Sequence, residues 1–141
     1  MSLDLLSVQD AIVTKINELA QDVYETTAPD DSKLRFDING MILPYIVVEF
    51  ADMYDDTTAS GILSSRYDVK SSYIVVSCVG PTQRSARQVT QLVRDKLTGF
   101  APSNAGELTL AGGGLSYTVA DSKPNRFVSE IGFTFKVNTV W

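Results

Sequence analysis

Histidine is absent from the 141-residue sequence. This absence excludes catalysis that uses imidazole as a general base or proton shuttle, and it excludes every metal site built on histidine. Because Cys78 is the single cysteine, an intramolecular disulfide and a cysteine-rich zinc site are excluded too. Its neighbours Val75, Val76 and Val79 favour a small buried side chain at this position over a reactive thiol.

Basic charge and long apolar runs are also scarce. The chain has 12 Lys and Arg against 17 Asp and Glu, a formal charge of −5. This balance disfavours proteins whose main task is to bind nucleic acid or an anionic membrane, because both tasks need a basic surface. The longest apolar stretch, residues 41–48, contains Pro44 and is far shorter than the roughly 18 residues that span a bilayer. Asp4 stands where an export signal needs bases, so we expect the chain to be cytoplasmic when made.

The composition is that of a folded protein. Hydrophobic residues make up 44% of the chain and charged residues 21%, which is too apolar for a disordered segment. The length suits one domain over residues 1–141, large enough to bury a core without a disulfide or a metal.

Two segments have helical periodicity. The first is predicted from about Val8 to Gln21, with Ser7 as N-cap, and its apolar stripe comprises Val8, Ile12, Ile16, Leu19, Ala20 and Val23. The second follows a cap at Thr82 and ends at Gly99 and Pro102. Its buried stripe is predicted to comprise Ala86, Val89, Leu92, Val93, Leu97 and Phe100.

Strand patterns fill most of the remaining chain. Residues 34–38 and 41–43 predict a hairpin around Asn39-Gly40, and residues 45–50 predict a central strand. Residues 67–79 predict a long strand whose second half is internal and whose first half projects. Residues 107–110 and 115–119 predict a hairpin across Gly112-Gly113-Gly114, and residues 127–141 predict a last strand at either the edge or the centre of the sheet.

The order of elements is helix, hairpin, strand, long loop, strand, helix, hairpin, strand. This order predicts an α+β fold: an antiparallel or mixed β-sheet with two α-helices packed on one face, plus projecting hairpins.

Few residues are candidates for chemistry. Gly112-Gly113-Gly114 lacks the Lys-Ser/Thr that follows in a phosphate loop, so a turn is favoured. The pairs Asp30-Asp31 and Asp55-Asp56 could bind a hard cation, but they lack the ligand spacing of a calcium loop, which favours solvated acids. Glu49 lies in an apolar strand, where an acid more often meets a subunit interface or an arginine than performs catalysis. We predict no catalytic residue, cofactor or metal site.

Arg84, Arg87 and Arg94 lie on the outer face of the second helix. Nucleic-acid binding would need aromatic residues beside these arginines and a less acidic chain, so a solvated or protein-binding face is favoured. The long acidic loop of residues 52–65 and the projecting strand are segments that we expect to become ordered against neighbouring molecules.

The arrangement resembles the tail terminator (tail completion) proteins of long-tailed bacteriophages. Those are small subunits with an opening amphipathic helix, a strand pair, a long hairpin, a second helix and closing strands. The resemblance rests on four segments: Val8-Gln9-Asp10-Ala11-Ile12, Leu43-Pro44-Tyr45-Ile46-Val47-Val48, Gly80-Pro81-Thr82-Gln83-Arg84-Ser85-Ala86-Arg87, and Arg126-Phe127. It spans nearly the whole chain and depends on pattern and order more than on an invariant signature.

The resemblance implies a virion structural protein in the tail-neck region, assembled in the bacterial cytoplasm. Such a protein forms a homo-oligomeric ring, usually a hexamer, that caps the tail tube, ends tube polymerisation and receives the head-tail connector proteins. DNA would pass through the lumen without specific binding, and no membrane is involved. Six copies with a charge of −5 each would carry about −30, which would repel DNA phosphates.

Two sets of residues follow from this hypothesis. The acids Asp52, Asp55 and Asp56 are predicted to lie toward the lumen or an adjoining ring. A subunit or partner interface is predicted to include Glu49, Arg66, Asp68, Lys70, Arg84, Arg87 and Arg94. Two alternatives stay open beside the terminator: a neck or head-tail joining subunit, and a small intracellular ligand-binding domain.

Overall fold

The computed structural model describes residues 5–19, 21–25, 34–50, 54–55, 67–102, 105–118 and 126–140. Its elements are α1 (Leu5–Asn17), β1 (Asp22–Glu25), β2 (Tyr45–Phe50), β3 (Tyr54–Asp55), β4 (Tyr67–Gly80), α2 (Gln83–Leu97), β5 (Thr109–Thr118) and β6 (Phe127–Val140). The sheet order is β1-β2-β4-β6-β5, and β3 pairs with β4 beyond this path. β1 is parallel to β2 and every other described pairing is antiparallel. The predicted α+β class with a mixed sheet is therefore confirmed.

Both helices cover the same face of the sheet, which we call the inner face. α2 packs on β4, β5 and β6, and α1 packs on α2 and β1. Side chains alternate along a strand, so every second residue of β2, β4 and β6 reaches this layer. Within the described part of the chain, the resulting core has fifteen buried residues: Val8, Ile12, Ile16, Ile46, Val48, Ile74, Val76, Cys78, Val89, Val93, Leu97, Leu108, Ile131, Phe133 and Phe135.

The first helix differs from its prediction at both ends. α1 begins at Leu5, so Ser7 lies inside the helix and is not its N-cap. It ends at Asn17, and Val23 belongs to β1, which pairs in parallel register with β2. The periodicity was misleading here because a half-buried strand that follows a helix closely can continue the same apolar spacing. Val8, Ile12 and Ile16 are buried as predicted.

A short hairpin, residues 34–43, covers part of the opposite, outer face. Leu34 and Ile42 pack with Tyr45, Val47, Val79 and Val128 in a second, smaller core. Its turn is closed by hydrogen bonds from the Asn39 and Met41 amides to Asp37 Oδ1, at 2.8 and 3.0 Å. Gly40 has φ +76°, a conformation that side chains disfavour, which explains the Asn-Gly sequence. The predicted turn is confirmed, although the flanking residues form only an isolated bridge, Phe36 to Ile42.

The two longest strands pair over their whole length. The register of β4 and β6 runs from Tyr67 opposite Val140 to Gly80 opposite Phe127, whereas β2 covers β4 only from Ile74 to Val79. Beyond the segment that pairs with β2, Ser72 of β4 and Phe135 of β6 are still buried, and β3 pairs with Lys70 and Ser71. Projection of the first half of β4 stays a prediction, and the last strand lies in the interior of the sheet, between β4 and β5.

The second helix follows its sequence signals closely. Thr82 and Ser85 form a reciprocal capping box, and α2 ends at Leu97, just before Gly99. Ala86, Val89, Val93 and Leu97 are buried as predicted, but Leu92 is 44% exposed, so its predicted burial is wrong.

The predicted hairpin across Gly112-Gly113-Gly114 is also wrong. These glycines lie inside the single strand β5, where Gly112 and Gly113 pair with Gly132 and Ile131 of β6. Two irregularities in the register flank them, between Leu110 and Gly112 and between Gly113 and Ser116. A glycine run that indicates a turn from local sequence can instead mark bulges when a neighbouring strand is there to pair with it.

Candidate interaction surfaces

The outward face of α2 carries a row of cations, which we call the arginine stripe: Arg84, Arg87 and Arg94, with Gln91 between them. The burial of Ala86, Val89 and Val93 against the sheet turns this face to solvent, and all four stripe residues are exposed. Steps of three and four residues keep them in line over about 15 Å of helix. None of the three arginines forms an ion pair within the described part of the chain.

The N-terminal half of the stripe is electrostatically unfavourable for the isolated chain. Arg84 and Arg87 stand three residues apart near the helix N-terminus, where the helix dipole disfavours cations and like charges repel. Residues 83–97 hold four bases and one acid, while the rest of the chain holds eight bases and sixteen acids. A basic surface is thus concentrated on one face of an acidic protein.

The remaining cation of α2, Lys96, forms an ion pair within the chain. Lys96 Nζ lies 3.1 Å from Glu18 Oε1, beyond the end of α1. The hydrogen bond from Lys96 is the main cause that lowers the pKa of the Glu18 carboxyl. Lys15 adds a second attraction, 3.9 Å from Glu18, and its Nζ lies 5.2 Å from the ring centroid of Phe100. These contacts join the C-terminal ends of the two helices and leave the arginine stripe outside the network.

Part of the outer face of the sheet has no cover among the described residues. We call this region the open patch: Glu49 of β2, Tyr73 and Val75 of β4, and Thr134 of β6. Glu49 is exposed and the other three are half-buried. The predicted interface residue Glu49 therefore lies on a partly apolar surface, and it forms no ion pair within the described ranges.

Tyr73 lies flat on this patch because Gly132, beneath its ring, has no side chain. A methyl group built on Gly132 would lie 2.7 Å from Tyr73 Cζ, closer than carbon atoms approach without displacement. The tyrosine ring therefore lies directly over the backbone of β6, and this part of the patch is flat. A flat surface of this kind can accept a helix or a second sheet face.

The tip of the outer hairpin is a third surface, and sequence reasoning did not identify it. Ile38 is 101% exposed, and Phe36 and Met41 are 48% and 40% exposed. The base of the hairpin is anchored by the buried Leu34 and Ile42, and by Arg35, whose Nη1 donates to Asp22 Oδ1 of β1 at 2.9 Å. The available sequence signal for this exposed tip was an apolar residue directly before Asn-Gly. A side chain at a hairpin turn lies beyond the paired strands and has no strand neighbour to cover it.

The other predicted site residues lie on the half of the β4–β6 ribbon beyond β2, or outside the described residues. Asp68 stands opposite Thr139 in the register of β4 and β6. Asp55, predicted at the lumen or an adjoining ring, and Lys70, predicted at an interface, are brought opposite each other by β3 and β4. Asp52, Asp56, Arg66 and the pair Asp30-Asp31 are outside the described ranges.

The described residues offer little that could perform chemistry. They contain no group of three or more His, Cys, Asp or Glu side chains placed to hold a metal ion. Cys78 is buried, and burial raises the pKa of its thiol to about 11, with an opposing, smaller effect of a hydrogen bond with Thr90. The interpretation of Cys78 as a small buried side chain is consistent with this environment. Among the helices described, none is long and apolar enough to cross a bilayer.

Comparisons with known proteins identify a shared fold. No protein-family model matches the chain, and no curated protein matches it. Among solved structures, it is similar to a chain from the "Virion of native gene transfer agent (GTA) particle", with a TM-score of 0.60 and 15% sequence identity. The likeness covers 94% of this chain and 95% of that one, so the two share one fold over essentially their full lengths.

Proposed function

We propose that this chain is a virion structural protein of a phage-like particle, and that it acts as the tail terminator. The observation that carries the proposal is the likeness in fold, over 94% of the chain, to a chain of a gene transfer agent virion. The sequence resemblance to tail terminators, which rests on different evidence, points to the same class.

In this function the chain forms a closed ring, a hexamer by analogy with terminators, on the head-proximal end of the tail tube. The ring ends tube polymerisation and presents a docking surface to the head-tail connector. A ring needs two different patches per copy that fit each other. The arginine stripe and the open patch are two such surfaces, and the half of the β4–β6 ribbon beyond β2, which is predicted to project, is a third candidate, with Asp68 and Lys70 on it. The predicted interface residue Arg66 immediately precedes this ribbon in sequence.

The acidic balance of the chain supports a passage for DNA. The acids Asp52, Asp55 and Asp56 are proposed to lie toward the lumen or an adjoining ring, where negative charge repels phosphates. The chain would hold no cofactor and perform no catalysis, and its location would be the tail-neck region of the virion. Neutralising these acids with Asn should leave ring formation intact and slow or arrest genome passage. Unchanged DNA delivery by assembled variants would remove the lumen assignment.

Particles produced without this chain would test the function as a whole. Electron microscopy should then show overlong tails without heads, and supplying the wild-type chain should restore tails of uniform length. Tails of normal length that simply fail to join heads would assign the chain to the neck or connector instead. Normal particles would overturn both assignments.

A further inference from the structure

The arginine stripe and the open patch lie on opposite layers of the molecule. α2 covers the inner face of the sheet, so its stripe points away from the sheet on one side. Glu49, Tyr73 and Val75 point away on the other side, because they alternate with Val48, Ile74 and Val76 of the inner core. A contact between these two surfaces in different copies is head-to-tail, and repeated head-to-tail contacts close into a ring or extend as a filament.

The two surfaces are complementary in charge. The stripe offers three exposed cations without an ion pair among the described residues. Two of them, Arg84 and Arg87, lie near the N-terminus of α2, where the helix dipole also favours an anion. The open patch offers the exposed carboxylate of Glu49, which forms no ion pair within the described ranges.

The surfaces also match in size. A helix with its side chains is about 10 Å wide, and three adjacent strands at about 4.8 Å spacing present a surface of the same width. The open patch spans β2, β4 and β6, and it is flat at Tyr73, whose ring lies over Gly132. The aliphatic stems of the stripe arginines would cover Val75 and Tyr73, which are only half-buried in the described part of the chain.

We propose that in the assembled protein the arginine stripe of one copy packs on the open patch of the next copy, with Glu49 accepting hydrogen bonds from Arg87 or Arg94. This inference rests on the proposed function, since it assigns the contact that builds the ring. The occupant of the patch is a second copy of this chain. A different protein bound to either surface is an outcome of the test.

Charge reversal can break and restore this contact. We would purify the wild-type chain, Glu49→Lys, the pair Arg87→Glu with Arg94→Glu, and the triple variant that combines all three changes. Light scattering after size exclusion, at several concentrations and salt levels, measures assembly. Glu49→Lys alone and the arginine pair alone should each raise the dissociation constant at least tenfold, by about the effect of reversing a close interfacial charge. The triple variant should recover assembly, because the reversed charges again attract.

Mixing supplies a second readout. Equal amounts of Glu49→Lys and the arginine-pair variant should assemble together when neither does alone, because every junction between unlike copies then joins opposite charges. Asp10→Lys is the matched control: Asp10 is exposed on α1, so the same change in charge there should leave assembly as in the wild type. Circular dichroism verifies that each variant is folded.

The outcomes separate the inference from the proposed function. Rings that form equally well with all variants overturn the contact and leave the terminator standing. Loss of assembly with the arginine pair but not with Glu49→Lys, and without recovery in the triple variant, assigns the stripe to a different surface of the neighbouring copy and also overturns the contact. A chain that assembles through this contact yet does not end tail tubes overturns only the function. A wild-type chain that stays monomeric alone and on tubes overturns both.

Discussion

The inner and outer faces of the sheet are formed by the same strands but are covered to different extents. Among the described residues, α1 and α2 close the inner face over a core of fifteen buried residues, whereas the core on the outer face has six, two of which belong to the short hairpin that covers it. The inner face also encloses Cys78, while the outer face exposes Glu49 and the hairpin tip. Among the described residues, the inner layer therefore holds most of the buried core, and the outer layer leaves more of its surface exposed.

The largest expected effect lies at the centre of the inner face. Phe133 is fully buried, so Phe133→Ala should lower the free energy of unfolding by about 3–5 kcal/mol through the lost contacts and the cavity. Phe36→Ala, on the outer hairpin at 48% exposure, is the control and should cost far less. Urea denaturation of both variants measures the contrast. Equal losses would show that the two faces contribute alike to stability.

A second effect of the inner face should appear at alkaline pH. Burial raises the pKa of the Cys78 thiol from 9.0 to about 11, so the folded state favours the neutral thiol. Its stabilisation is complete below pH 9 and is lost as the pH rises toward 11, an effect of up to about 3 kcal/mol at roughly 1.4 kcal/mol per pKa unit. The Cys78→Ala variant has no thiol to ionise, so between pH 9 and 11 its free energy of unfolding should fall by up to about 3 kcal/mol less than that of the wild type. Parallel pH profiles for the two proteins would contradict the burial effect.

On the outer face, the largest effect should come from the close approach of Tyr73 to Gly132. Gly132→Ala places a methyl group against the tyrosine ring and should cost about 1–3 kcal/mol through forced displacement. With Tyr73→Ala in the same chain, the added cost of the methyl group should largely vanish. A double-mutant cycle by thermal or urea unfolding measures the coupling. Additive effects would mean that the ring does not lie over β6 in solution.

The smallest effect is expected at the hairpin tip. Ile38→Ser removes a fully exposed side chain, so the free energy of unfolding should change by less than about 0.5 kcal/mol. Ile42→Ser at the buried base of the same hairpin is the control and should be clearly destabilising. If Ile38→Ser lowered the free energy of unfolding by more than about 1 kcal/mol, the tip would be packed and the two faces would differ less than we infer.

The sequence predicted some surfaces well and missed others. Arg84, Arg87 and Arg94 were assigned to the outer face of the second helix and are exposed there, because helical periodicity is a local property. Leu92 was assigned to the buried stripe and is exposed, because the width of a buried stripe depends on what packs beside the helix. The exposed apolar tip at Ile38 was not identified, since apolar spacing alone does not reveal which strand face finds a partner.

The sequence by itself determined the elements whose signals are local: the cap and end of α2, the hairpin turn at Asn39-Gly40, and the alternation of the long strands β4 and β6. Only the tertiary structure decided the parallel pairing of β1 with β2, the placement of the three glycines inside β5, and the central position of β6. The physical reason is that capping and turn formation involve residues within a few positions of one another. Strand partners and burial are set by segments far apart in the chain, which compete for the same edges and faces.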